Sequence, residues 1–380
     1  MWDVAVIGAG LSGITCARQL AATGQRVCIL DKSRGLGGRM ATRRVLLQSG
    51  AEPSGARSGD DLVTNDTVRV DHGLRYWQPK TEGLQALTAE LVTAGVLKQW
   101  PVNAYEILTR EVLTPAAQSA PFYVADAGMS AIAKYLSGGF TLGENLLTDH
   151  RAMSLRYSKD HWRIECEATE TIVARQCAIA TPVPQAIDLL KTVSKQNSAD
   201  DERGGAIAAA IAKMECATYH PCITVLAGYD AQYQRDALEL VPGDVSAGWM
   251  VTDKVGTSTD WVGLDSSKRS NNPNQGPVIV IHSKPDFARQ YLETGDLQPA
   301  ASVLLRASAR KLKPWIAQPS WFQIQRWRYA QVNEAHPESA VRVLPSLACG
   351  GDWCVPAAQA DLQNIDDAYL SGLAMAEAIA

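Results

Sequence analysis

Three glycines and one acid near the amino terminus have the spacing of a phosphate-binding turn. Gly8, Gly10 and Gly13 lie in Val4-Ala5-Val6-Ile7-Gly8-Ala9-Gly10-Leu11-Ser12-Gly13, and Asp31 follows. Gly8 permits a tight turn, Gly10 lets the backbone approach a pyrophosphate, and Gly13 lets a helix pack closely on a strand. A helix N-terminus at this point turns unpaired N–H groups toward phosphates. A carboxylate at Asp31 can accept hydrogen bonds from both ribose hydroxyls and repels a 2′-phosphate. The chemistry is dinucleotide binding, with FAD or NAD favoured over NADP.

A second loop follows at once: Lys32-Ser33-Arg34-Gly35-Leu36-Gly37-Gly38-Arg39-Met40-Ala41-Thr42-Arg43. Arg39 can fork onto a phosphate, and the Thr42 hydroxyl can add a hydrogen bond. A plain NAD site has no need of a second anion loop so close to the strand end, so the pair points to FAD. Taken alone, the loop also reads as a solvated basic surface.

The elements that must position these residues are legible around them. Val4–Ile7 reads as a strand, Ile14–Ala22 as a helix, and Arg26–Leu30 as a second strand ending at Asp31. Val278–His282 is a β-branched run that fits a buried strand. Trp321–Val332 alternates, with Gln325, Trp327 and Tyr329 on one face and Arg326 and Arg328 on the other. Ser49–Asp66, Gln196–Gly205 and Thr257–Gly276 read as linker-like or surface segments.

The Arg39 loop resembles the second signature of flavin-dependent amine oxidases and, more closely, of the renalase-like group. Further segments match in the same order: Asp71-His72-Gly73, Gly128-Met129-Ser130-Ala131-Ile132-Ala133-Lys134, Ala180-Thr181-Pro182-Val183-Pro184-Gln185-Ala186, Trp327-Arg328-Tyr329-Ala330, Gly351-Asp352-Trp353-Cys354 and Ala368-Tyr369-Leu370-Ser371-Gly372. The resemblance spans nearly the whole chain. It implies an α/β, two-domain flavoprotein. A Rossmann-type FAD-binding domain would be assembled from residues 1–75, 123–186 and 346–380. A β-sheet-containing substrate domain would take 76–122 and 187–345.

The resemblance also implies roles. FAD would be held without a covalent bond by Gly8, Gly10, Gly13, Asp31, Lys32, Gly38, Arg39, Met40, Thr42, Asp71, Gly73 and Met129. Asp352 would accept a hydrogen bond from the ribityl chain. A helix opening at Asn364, Ile365 and Asp366 would turn the Ile365 N–H toward the pyrimidine edge. His72 would lie near the isoalloxazine, with Tyr76, Trp327 and Tyr329 as aromatic walls; each of these four also reads as an ordinary core or turn residue. Arg75, Phe287-Ala288 and the insertion Leu46–Asp66 depart from the group's pattern.

The expected activity is an FAD-dependent oxidase. Its donor would be a small reduced molecule, especially a dihydro isomer of NAD(P), and oxygen would leave as hydrogen peroxide. Amine oxidation and a non-catalytic redox module are the alternatives, since fold analogy alone does not separate chemistries.

Composition bounds these readings. The 380 residues are 46% hydrophobic and 20% charged, with a net charge of −4. That length suits two domains, and the charge lacks the basic footprint of a nucleic-acid partner. No apolar run approaches the ~20 residues of a membrane helix, and Asp3 interrupts any secretory signal, so a cytoplasmic location is expected. Eight cysteines occur without a CxxC pair, which reads as reduced, mostly buried thiols with no metal site. Flavin attachment through Cys349 or Cys354 is the less favoured alternative.

Overall fold

The computed structural model describes residues 1–47, 67–109, 112–117, 120–167, 170–194, 202–269, 276–356 and 365–380. Two large sheets organise them. The first is built on parallel strands, in the spatial order Leu146–Leu147, Val27–Leu30, Trp2–Ile7, Ile172–Ile179 and Leu347–Cys349. Antiparallel strands Ala152–Ser158, His161–Cys166 and Val341–Leu344 bring it to eight. Side chains alternate across a strand. Val4 and Val6 therefore enter one core, with Ile14 and Leu20 of the helix Leu11–Ala22. Ala5 and Ile7 enter another, with Leu190 and Ile207 of the helices Val183–Ser194 and Glu202–Met214. Both faces are covered, as parallel strands require.

The second sheet has seven strands, in the order Trp321–Glu334, Thr218–Gly228, Val278–Ser283, Thr259–Leu264, Gly248–Asp253, Val102–Thr109 and Val112–Pro115. Val278 and Val280 join the core of the fingerprint strand, whereas Ile279 and Ile281 face Leu304 and Leu305 of the helix Gln298–Lys311. One core thus contains residues of both sheets.

Several sequence expectations change. The fingerprint helix begins at Leu11, because the Ile14 N–H already bonds to the Gly10 carbonyl at 3.0 Å. The linker-like stretch 257–276 contains a central strand of the second sheet, Thr259–Leu264, whose Trp261 and Leu264 are buried. Lys268 and Arg269, in what reads as a polar surface loop, are also inside: Lys268 is 1% exposed. Residues 202–205 of the stretch 196–205 open a helix. That helix and Val341–Leu344 pack with the first sheet, although the sequence places them in the substrate domain. The insertion lies outside the described residues from residue 48 to 66. No helix among the described residues is long and apolar enough to cross a membrane.

Candidate active site

A cleft of about 1570 Å³ runs from the C-terminal ends of the parallel strands to the edge strand Trp321–Glu334. Single small-molecule pockets hold ~300–1,000 Å³, so this one has room for a dinucleotide and a second molecule. At its first end, Gly8 has φ +109° and donates its N–H to the Leu30 carbonyl at 2.7 Å. A Cβ on Gly13 would lie 1.9 Å from the Gly8 carbonyl oxygen, which explains why helix and strand need glycine there. Gly10 faces open space, and the helix after it has no side-chain cap. Its first N–H groups remain for a phosphate. Gly8 and Gly10 line the cleft, and Gly13 stands behind them.

Asp31 is fixed by two backbone donors, the N–H groups of Ala9 and Ser33, each at 2.7 Å. A carboxylate has about four acceptor positions, so acceptors remain for ribose hydroxyls. Lys32 also faces the cleft and reaches the Gln185 amide oxygen at 3.4 Å. The second loop is tied to the first by the Gly37 N–H on the Ala9 carbonyl at 2.9 Å. Gly38, Arg39, Met40 and Thr42 then line the cleft. Two glycine loops, an uncapped helix and a strand-end acid suit FAD, which these residues would hold.

Arg39 is not left open to a phosphate. Its fork pairs with Asp352 through both terminal nitrogens, at 2.5 and 2.7 Å. Burial works against the guanidinium charge, but the Asp352 carboxylate outweighs it and holds Arg39 above its ordinary range. The Tyr219 hydroxyl also donates to Asp352, at 3.1 Å. Asp352 is 2% exposed yet contributes to the cleft wall.

Asp71 and Met129 are displaced from the expected contact role, and neither lines the cleft. Asp71 accepts from the Thr42 hydroxyl at 2.7 Å and the Met129 N–H at 2.9 Å. Its other oxygen accepts from Arg269 at 2.6 Å. Asp265 joins Arg269 at 2.6 Å and Lys268 at 2.8 Å, which completes a buried, charge-balanced cluster. Burial would raise the Asp71 pKa, but Arg269 and Lys268 hold it below the ordinary carboxylate range. Asp71 therefore acts as scaffold: it ties Thr42 and Met129 to Arg269, which follows the strand Thr259–Leu264 of the second sheet.

His72 is likewise off the cleft. Its ring stacks on Trp327 with centroids 5.2 Å apart, and its carbonyl accepts the Trp327 indole N–H at 3.0 Å. Burial, then the Arg43 cation, pushes its pKa down to about 4. It is neutral at pH 7 and stands behind an aromatic wall, so a direct catalytic contact is corrected to a supporting one. Gly73 does line the cleft, and a Cβ there would meet the Arg39 carbonyl oxygen at 2.1 Å. Ile365 lines it too, as the first residue of the helix Ile365–Ile379, while Asn364 lies outside the described residues. Asp366 instead turns to the Thr81 N–H and hydroxyl, both at 2.8 Å.

At the far end, Tyr76, Trp327 and Tyr329 form aromatic wall. Gln325 reaches Arg43, and Trp327 reaches His72, whereas Arg326 and Arg328 bond to the segment 291–294 on the other face. The alternation read from sequence is reproduced in these contacts. Arg75 donates its Nε–H to His282 Nδ1 at 3.1 Å and pairs with Asp260 at 2.6 Å. Burial, then Arg75, holds His282 well below the ordinary histidine range. Sequence reasoning missed Tyr219 and the Arg75–His282 contact; no local signal announces either. Cys349 and Cys354 are buried off the cleft, and the described residues include no cluster suited to a metal.

A parallel sheet carrying a dinucleotide cradle, joined through one cleft to a mostly antiparallel sheet with aromatic walls, defines a two-domain flavoprotein oxidoreductase. Residues 6–91 match an NAD(P)-binding Rossmann-like domain, and residues 97–380 match the flavin containing amine oxidoreductases. The chain belongs to the flavin containing amine oxidoreductase family. It is similar in structure to a putrescine oxidase variant, with TM-score 0.67 and 12% identity over 100% of this chain and 98% of that one. Cyclohexylamine oxidase from Brevibacterium oxydans IH-35A gives TM-score 0.64 and 11% identity, over 99% of each chain. At such identities the likeness is one of fold. The protein is thus an FAD-dependent oxidoreductase.

Proposed function

We propose a renalase-like oxidase that takes a hydride from a dihydro isomer of NAD(P), carried at ring position 2 or 6. The charge of the far end of the cleft carries this reading. There, Arg75 holds Asp260 at 2.6 Å, and on the flavin side Arg39 holds Asp352 at 2.5 Å. Arg75 lines the far end, and Arg326 and Arg328 border the cleft from the other face of the edge strand, where they bond to the segment 291–294. An ammonium group meets no unpaired carboxylate among the described residues of that wall, and the phosphates of a dinucleotide would draw on Arg75 and Arg328, each of which is shared with a carboxylate. The Arg328–Glu293 pair is exposed and weak enough to yield to an anion.

The chain's own work is orientation. Trp327, Tyr329 and Tyr76 can hold a flat ring in one plane. Bound FAD supplies the two-electron acceptor. Loss of one hydride leaves the donor as an aromatic pyridinium, so no strong base is required. His282, which lines the cleft, is held well below the ordinary histidine range by burial and Arg75, which fits that need. One oxygen molecule then takes up two electrons and two protons as hydrogen peroxide. The second reading, oxidation of an amine, draws on the family match.

Anaerobic stopped-flow mixing separates the two. The dihydro isomers should bleach the flavin within seconds, and simple amines slowly or not at all. Fast reduction by an amine with the dihydro isomers inert would overturn the proposal and promote amine oxidation.

A further inference from the structure

Tyr219 belongs to the second sheet, on the strand Thr218–Gly228, yet its hydroxyl ends on a carboxylate of the flavin half. Three contacts surround its ring. The Arg39 guanidinium lies 5.7 Å from the ring centroid, Tyr329 packs at 5.5 Å, and the hydroxyl meets Asp352 at 3.1 Å. One side chain therefore touches the aromatic wall of the cleft and both members of the Arg39–Asp352 pair.

The acceptor count at Asp352 gives the contact a purpose. A carboxylate offers about four acceptor positions, two on each oxygen. Oδ1 takes Arg39 at 2.7 Å and Tyr219 at 3.1 Å, and is filled. Oδ2 takes only Arg39, at 2.5 Å, among the described residues. One acceptor position remains, on Oδ2, in a residue that contributes to the cleft wall. We propose that Tyr219 is a positioning residue for the cofactor: with Arg39 it fixes the Asp352 carboxylate so that a single acceptor stays available to a hydroxyl of bound FAD. Burial, then the Asp352 charge, pushes the Tyr219 hydroxyl well above its ordinary range, so it remains a donor across working pH.

The test is a double-substitution cycle on FAD binding, read by titrating apoprotein with FAD. Tyr219→Phe keeps the ring against Arg39 and Tyr329 and removes only the hydroxyl. It should raise the FAD dissociation constant about tenfold, the scale of one charge-assisted hydrogen bond. The melting temperature of the apoprotein should stay near wild type. Asp352→Ala, which removes the acceptor of the Tyr219 hydroxyl, should weaken binding by itself. Adding Tyr219→Phe to it should cost little more, because the hydroxyl acts through the carboxylate. Unchanged or tighter FAD binding in Tyr219→Phe, or additive losses in the double variant, would overturn the proposal. So would a Tyr219→Phe chain that does not fold, since the hydroxyl would then serve folding and not the cofactor.

Discussion

His72 makes the protein acid-sensitive in a window set by its surroundings. It is 5% exposed, its Nδ1 has no hydrogen-bond partner among the described residues, and its pKa falls from 6.5 to about 4. The native state therefore refuses a proton that the unfolded chain accepts. The stability this represents is fully present above pH 6.5 and is lost as pH falls toward 4. The fall from 6.5 to about 4 corresponds to about 3 kcal/mol. His72→Phe keeps an aromatic ring against Trp327 and removes the titration. Urea unfolding of both proteins between pH 7 and pH 4, followed by tryptophan fluorescence, isolates the histidine from other titrating groups. Wild type should lose about 3 kcal/mol more than the variant across that range. Parallel profiles would refute the reasoning, because His72 would then titrate alike in both states.

Three further outcomes follow from the packing. Arg269→Met strips the main cation from two carboxylates that are 0% exposed; urea unfolding should show a loss of about 3–5 kcal/mol, and a loss below about 1 kcal/mol would count against a tight buried cluster. Gly13→Ala drives a Cβ into the Gly8 carbonyl, so the purified variant should lose yellow colour as the turn shifts; wild-type FAD content would contradict the turn's geometry. Asp352→Ala removes the partner of Arg39 and should weaken FAD binding by about 1.5–3 kcal/mol, measured by equilibrium titration, with wild-type affinity as the contrary result.

The parts legible in the sequence are those whose causes are local. Gly8, Gly10 and Asp31 declare a turn and a strand end within one short unit, and the Ala9 N–H bond to Asp31 and the Gly8 N–H bond to Leu30 close that unit within 22 residues. Val278–His282 and Trp321–Val332 declare strands by side-chain type and alternation, and the structure extends each by two residues or fewer. The resemblance puts Asp71, His72 and Met129 near the flavin, but which way each points depends on distant partners. Asp71 turns inward because Arg269 waits 198 residues away. Lys268 and Arg269 read as solvated because their composition is that of a loop; their burial rests on Asp265 close by and on Asp71, 198 residues from Arg269. The Arg39 fork suits a phosphate or a carboxylate alike, and Asp352, 313 residues on, takes it. Tyr219 had no signal at all, since a lone tyrosine at the start of a strand is ordinary.

The central claim is that the cleft between the two sheets holds one FAD without a covalent bond. Acid denaturation of the purified protein, with chromatography of the released cofactor, tests it most directly. The account predicts one FAD per chain in the supernatant, no FMN, and a colourless polypeptide. A folded protein that is colourless and takes up no FAD, or a flavin that stays on the denatured chain, would contradict it.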